Sequence, residues 1–424
     1  MRGANSTSGT LFARVLCAAL LLLHGVAYAA ESITLEQAIA ATMTGNPELM
    51  AFGYEMRVQD GRILQAGLAP KPELNIALED VLGTGTAQAL SGAQTTVTLA
   101  WVVEGDLRQR RIDAARTGSL VLASEAQIMR LDAAAQTARY YTQALAHQAR
   151  LEMAEQAIAL AEETVATVTE RVNASTVSRA ELARALAELA SRELVQDELT
   201  HQLVGLYHRM AAQWGKLQPS FARVAGDALQ LPEIEPFHVL LERIEQNPDL
   251  SRFLSEQRLH ESTLQLEQAQ RHSPWRFSAG VRRIESSSDM GFVAGVTIPL
   301  NRGNQNQGRI EEARARLEQS TAQQAATHVR IQTALFLFHQ ELEHSLHLAE
   351  ALRTRVIPRY EEALQEVRRA YELGGSSYME WLQVQNELLD SRLQLLEASV
   401  LAQQTMIEIE RLTGVRVPQA TSSP

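Results

Sequence analysis

His339, Glu343 and His347 stand four residues apart, so on a helix they share one face, with His344 beside them. Two imidazoles and a carboxylate at that spacing form a donor set suited to Zn2+ or Cu2+. The same composition also describes the solvated outer face of a long helix. His201 and His208 form a weaker stripe of the same kind. Arg108, Arg110 and Arg111 follow a strand-like run, where they face anionic lipid, a lumen, or only the water around a helix start. Little else could do chemistry. There is no Gly-rich phosphate loop, no HExxH, no nucleophile elbow and no histidine placed with a plausible serine partner. No cofactor is implied, and an enzyme is the class least supported.

The elements that carry these residues begin with a leader. Arg2 and Arg14, the run VLCAALLLLHGVAYA and the small-residue site Ala27-Tyr28-Ala29 read as a signal peptide over 1–29. The only cysteine, Cys17, lies inside it, behind Val15 and Leu16 where lipid attachment needs small residues. The exported chain is therefore expected to have no thiol chemistry. Removing Arg2 and Arg14 from a chain of net charge −11 leaves 37 basic against 50 acidic residues. Such an acidic chain without a basic cluster is a poor nucleic-acid binder. After residue 30 no apolar run approaches the ~18 residues of a transmembrane helix.

Long helices dominate. Between Asp106 and Val172 there is no proline and a single glycine, Gly118. Leu151, Ala154, Ile158, Ala161, Val165, Val168 and Val172 recur at alternating spacings of three and four, a heptad seam. At ~1.5 Å per residue this helix is expected to run roughly 100 Å. A polar break at 173–178 precedes a return helix over 179–214, hence an antiparallel hairpin. A second long helix over about 304–371 carries Val356, Tyr360, Ala363, Val367 and Ala370, with Pro358 expected to kink it. ELGGSS turns the chain at 372–377, and Leu389, Leu393, Leu396 and Val400 mark the seam of the return.

The plan is stated twice. NPEL at 46–49 and NPDL at 247–250 each place asparagine before a proline-first helix, a cap signature. Val177–Leu182 aligns with Ser376–Trp381 at an offset of 199 residues. The expected organisation is a first repeat over 30–214, a linker over 215–235, a second repeat over 236–413 and a tail over 414–424. Each repeat also holds a strand pair, about 73–104 and about 275–300. Leu74, Ile76, Leu78; Val97, Leu99, Trp101, Val103; Trp275, Phe277, Ala279, Val281; and Phe292, Ala294, Val296, Ile298 alternate with polar or small residues. A half-buried sheet of a soluble domain has this pattern too. Four strands cannot close a barrel alone, and the helices that follow are too long to fold back as cover. Three copies supply twelve strands, enough for a closed barrel in lipid, and twelve helical segments in one ring.

ITLEQAIAATMTGNPEL, QAGLAPKPELNIALEDVLGTG, TTVTLAWVVEGDLRQRR, ARYYTQALAHQARLEMAEQAIALAEETV, GVTIPLNRGNQNQGRIEEARARL and IPRYEEALQEVRRAYELGGSSYMEWLQVQNELL together resemble the TolC-like outer-membrane efflux channels. Residues 65–111 are similar to the CzcC-like, heavy-metal branch of that family. Two departures stand out. The usual LPNPEL here reads Ala69-Pro70-Lys71-Pro72-Glu73-Leu74, and the glycine usual at the first tip is replaced by Ala174-Ser175. Asn173 is the candidate for any left-handed residue there, whereas the second tip keeps Gly374-Gly375.

The resemblance implies a homotrimer in the outer membrane of a Gram-negative bacterium. Its 12-stranded β-barrel would continue into a 12-helix α-barrel across the periplasm. The partners it implies are a periplasmic adaptor, an inner-membrane RND pump and lipid. The channel would be passive, with no catalytic residue, and would export heavy-metal cations, or alternatively drugs and other organic solutes. Adaptor docking falls on Ser175, Thr176, Val177 and Ser178 and on Gly374, Gly375, Ser376 and Ser377. A cation-attracting ring at the tunnel mouth falls on Glu181, Glu380 and Gln383, which could equally be solvated helix-surface residues. A soluble periplasmic coiled-coil scaffold is the rival from a different class.

Overall fold

A computed structural model describes residues 32–300 and 305–414 of the chain. The leader at 1–29 and all but the first residue of the tail at 414–424 lie outside the described residues. The first repeat contains β1 (Ser32–Ile33), α1 (Leu35–Gly45), α2 (Pro47–Ala66), β2 (Glu73–Glu79), β3 (Gln94–Val103), α3 (Leu107–Asn173) and α4 (Arg179–Ala212). After β4 (Arg223–Val224) the second repeat contains α5 (Phe237–Arg243), α6 (Pro248–Ala269), β5 (Trp275–Ile284) and β6 (Asp289–Thr297). It ends with α7 (Gln307–Ala351), α8 (Ile357–Glu372) and α9 (Tyr378–Thr413). Most of the described chain is helical, and α3 alone runs 67 residues.

The two asparagines act alike. Asn46 Oδ1 accepts from the N–H groups of Glu48 and Leu49 at 2.9 and 3.0 Å, while its Nδ2 donates to Gln213 O at 2.9 Å. Asn247 Oδ1 accepts from Asp249 N at 2.6 Å, and its Nδ2 donates to Leu412 O. Each cap therefore also satisfies an orphan carbonyl at the end of its repeat's return helix. That bond ties the repeat's start to its finish.

In α3 the seam packs as its heptads predict: Ala154, Ala161 and Val168 are buried, and the positions between them are half-buried. In α9 the buried row is Leu388, Ser391, Leu395, Ala398 and Ala402. Of the expected row, Leu396 is also fully buried and Val400 packs half-buried against the same cluster. Leu389 and Leu393 instead line a cavity of ≈ 250 Å3 against α3 and α4. The expected break at Pro358 takes the form of a π-helical turn at Leu352–Val356 just before it, which accommodates the missing proline N–H.

Residues 215–235 join the repeats while packed on α3 and α9. β4 pairs in parallel with β1, and Phe221, Val224 and Ala228 are buried. Gln148 of α3 serves both backbone groups of Val224, accepting from its N–H at 2.7 Å and donating to its carbonyl at 3.1 Å. Among the described residues no helix is long and apolar enough to cross a membrane.

Candidate channel surfaces: the sheet and the helical tips

The four longer strands form one sheet in the order β2-β3-β5-β6, antiparallel throughout, so the repeats meet at β3 and β5. The register aligns the apolar residues across all four strands. Leu74, Leu99, Ala279 and Ala294 make one row, and Ile76, Val97, Val281 and Phe292 the next. Trp101, Phe277 and Val296 make a third. Most of this face is open to the surroundings, and Phe292 is 97% exposed. Trp101 stacks at 6.5 Å on Phe277, which meets Trp275 at 6.4 Å, so aromatic rings gather at the end of the sheet nearest α3.

The opposite face is polar. Arg282 reaches over β3, donating to Thr96 at 2.9 Å, Gln94 at 3.2 Å and Glu79 of β2 at 3.3 Å. Arg276 pairs with Glu73 in the same way. Gly280 lies between them because a Cβ there would come within 2.0 Å of the Val97 carbonyl. Where the sheet passes into α3, Arg111 grips Glu104 through both nitrogens at 2.7 and 2.9 Å. Arg108 donates to Gly67 O at 2.6 Å and Arg110 to Gln265 at 2.7 Å. The arginine run is therefore a junction brace between α2, α3 and α6.

At the far end of the helices, both tips close with the same backbone bonds. Thr176 N donates to Arg171 O at 2.9 Å, and Gly375 N to Ala370 O at 2.8 Å. The left-handed residue of the first tip is Ser175, at φ 59°, not Asn173; its counterpart is Gly374, at φ 82°. Asn173 is the last helical residue, and the turn comes two positions later.

Glu181 and Glu380 each occupy the third position of their helix, after the N-cap serines Ser178 and Ser377. Glu380 closes a full capping box: its carboxylate accepts from Ser376 Oγ at 2.6 Å and Ser377 N at 2.9 Å. Those bonds, the Ser376 hydroxyl's first, hold its pKa below the usual glutamate range. Glu181 has Val177 where Glu380 has Ser376. Its carboxylate accepts instead from the Tyr371 hydroxyl of the other hairpin, at 3.4 Å. Burial, and then the Glu181 charge, push the Tyr371 hydroxyl above its ordinary range. Gln383 is exposed and donates to Glu387 at 2.9 Å.

Sequence reasoning missed the aromatic core beneath the tips. Tyr371, Tyr378 and Trp381 are buried with Val168 and Ala185. The Arg171 guanidinium lies 4.5 Å over the Tyr371 ring and donates to the Tyr371 carbonyl, locking one hairpin to the other. Three aromatics within eleven residues beside a Gly-Gly turn were the available signal.

The histidine stripe does not assemble. His339 is buried, its Nε2 against Glu235 O at 3.2 Å and its ring edge-on to Phe237 at 5.5 Å. His347 is exposed, and Glu343 reaches no closer than 3.7 Å to His339 Nδ1. Among the described residues no three His, Asp or Glu side chains could hold a metal ion. His208 Nδ1 lies 2.8 Å from Leu217 O, and His201 is exposed.

The fold is shared with solved structures of outer-membrane proteins. The chain superposes on a membrane protein from Pseudomonas aeruginosa with TM-score 0.74 and 16% identity, over 89% of this chain and 90% of that one. It superposes on the outer membrane protein VceC of Vibrio cholerae with TM-score 0.72 and 17% identity, over 90% and 96%. The match to CusC has TM-score 0.72 and 16% identity, over 89% and 91%. In sequence it is 27% identical, over 91% of each chain, to the cobalt-zinc-cadmium resistance protein CzcC of Cupriavidus metallidurans. Residues 242–415 match the outer membrane efflux protein family. The second half of the chain therefore carries that family's domain.

Proposed function

We propose that three copies of the chain close a 12-stranded barrel in the outer membrane, continuous with a ring of twelve helical segments. The channel is the passive exit of a tripartite RND-type efflux system for heavy-metal cations. One observation carries the reading: an apolar face continuous over four strands, bounded by edge strands β2 and β6 that lack an outer partner among the described residues. In water such a face and such edges are liabilities; in lipid, with β6 of one copy paired to β2 of the next, both are satisfied. The polar face, with Arg276 and Arg282 paired to glutamates, then lines the lumen. The metal substrate is supported by the similarity to CzcC.

At the periplasmic end, Glu181, Glu380 and Gln383 of each copy would ring the tunnel mouth and attract cations. The exposed tip residues 175–178 and 374–377 would meet a periplasmic adaptor. Membrane fractionation tests the barrel: the protein should resist a salt wash and require detergent, and release by salt would leave the soluble scaffold. A deletion strain should lose tolerance to cobalt, zinc or cadmium and accumulate the metal. Unchanged metal tolerance with altered drug tolerance would make the cargo organic. Planar-bilayer conductance tests the ring: Glu181→Gln with Glu380→Gln should weaken cation selectivity, and an unchanged channel would exclude it.

A further inference from the structure

The waist of the molecule holds a cavity of ≈ 510 Å3 between α3, α9 and the inter-repeat segment. Its walls are mainly apolar, including Leu35, Leu145, Leu231 and Met406, and its two acidic groups are Asp227 and Glu410. Among the described residues no Lys, Arg or His lines it. Glu410 is only 8% exposed, and among the described residues its carboxylate has no hydrogen-bond or ion-pair partner. A buried carboxylate without a partner is costly and calls for a counter-charge.

Several polar groups nearby are already engaged. Tyr141 donates its hydroxyl to the Ala225 carbonyl, and Gln403 donates to Ala228 O at 3.1 Å and Gln230 O at 2.8 Å. Asp227 Oδ1 accepts from Leu229 N at 2.8 Å. The neighbouring cations on these elements turn elsewhere. Arg411 pairs with Asp132 and Asp249, and Arg139 with Glu408. Among the described residues, the Glu410 carboxylate is left without a counter-charge against an apolar space of the size that holds a small organic ligand.

We propose that this waist cavity binds an organic monocation, an ammonium group on an apolar body, with Glu410 as its counter-ion and Leu35, Leu231 and Met406 enclosing the body. A metal ion is a poor fit, because a mainly apolar wall supplies too few oxygen donors. The site lies away from both the sheet and the tips, and it stands whether or not the chain exports metals.

Burial pushes the Glu410 carboxyl up to about 7. Tyr141, pushed up by burial to about 12, stays neutral across the range that matters. Cation binding should therefore strengthen as pH rises from 6 to 8, by roughly tenfold, as Glu410 ionises.

The test uses the full-length chain in detergent, with n-hexylammonium as probe and n-hexanol as its neutral counterpart. At pH 8 hexylammonium should raise the thermal unfolding midpoint, with about tenfold weaker apparent affinity at pH 6. Hexanol should not reproduce the effect. Glu410→Gln should abolish the response at both pH values, and Met406→Trp, which fills the cavity, should abolish it with Glu410 intact. An absent response, an equal response to hexanol, or full retention in Glu410→Gln would each overturn the proposal. Should Glu410→Gln fail to fold, the wild-type comparison between pH 6 and pH 8 decides alone.

Discussion

At the first tip Ser175 holds the left-handed position that Gly374 holds at the second, and Val177 stands where Ser376 stands. The helix starts match, Ser178 with Glu181 against Ser377 with Glu380, but the carboxylates do different things. Glu380 turns back onto its own cap, while Glu181 crosses to Tyr371 of the other hairpin. The second hairpin also supplies the aromatic core that Arg171 of the first clamps. Duplication has kept the backbone turn and divided the labour: one tip is locally self-sufficient, and the other depends on its neighbour.

Four comparisons would break or sharpen that division. Trp381→Ala empties the buried centre of the tip core and should lower the local opening free energy there by about 3–5 kcal/mol, read by hydrogen exchange. Leu182→Ala, its half-buried counterpart, should cost only about 1–2 kcal/mol by the same measure. The backbone positions come next. Gly374→Ala should destabilise the second tip by about 1–2 kcal/mol, and Ser175→Gly should stabilise the first by up to about 1 kcal/mol. Equal responses would mean the two turns are not equivalent.

The caps follow. Ser377→Ala should cost about 1 kcal/mol. Ser178→Ala should cost less, because Glu181 does not complete the box and its bond to Ser178 is 3.4 Å long. The smallest effect is that of pH. The folded pKa of Glu380 lies below its unfolded value, so its contribution is fully present above the unfolded carboxylate range. That contribution is lost as pH falls through the folded value. Amide protection in the first turn of α9 should fall across that acidic window in the wild type and stay flat in Glu380→Gln.

Much of this tip was legible. Ser-x-x-Glu before an apolar run is a capping signature, completed at Ser377 and Glu380 but not at Ser178 and Glu181, and the offset of 199 residues paired the two turns correctly. Ser175 was not legible as the left-handed residue. Asparagine tolerates that conformation better than serine, but its place on the backbone was set by where α3 runs out of packing partners. His339 misled for a similar reason. Its spacing to Glu343 and His347 is helical, yet Glu235 and Phe237, about a hundred residues earlier, draw it into the core.

The sequence by itself determined the repeat, the helical hairpins, the strand pairs with their apolar faces, and the asparagine caps. Those depend on neighbours two, three or four residues away, and the chain spells them out locally. Only the tertiary structure decided that a second row of α9 is buried beside Leu396, that Asn46 and Asn247 also tie each repeat's ends together, and that Glu181 answers to Tyr371. It alone left Glu410 without a partner among the described residues, against an apolar cavity. Each of these is a contact, or a missing contact, between residues far apart in the chain, and no local period records what the fold will bring to a side chain.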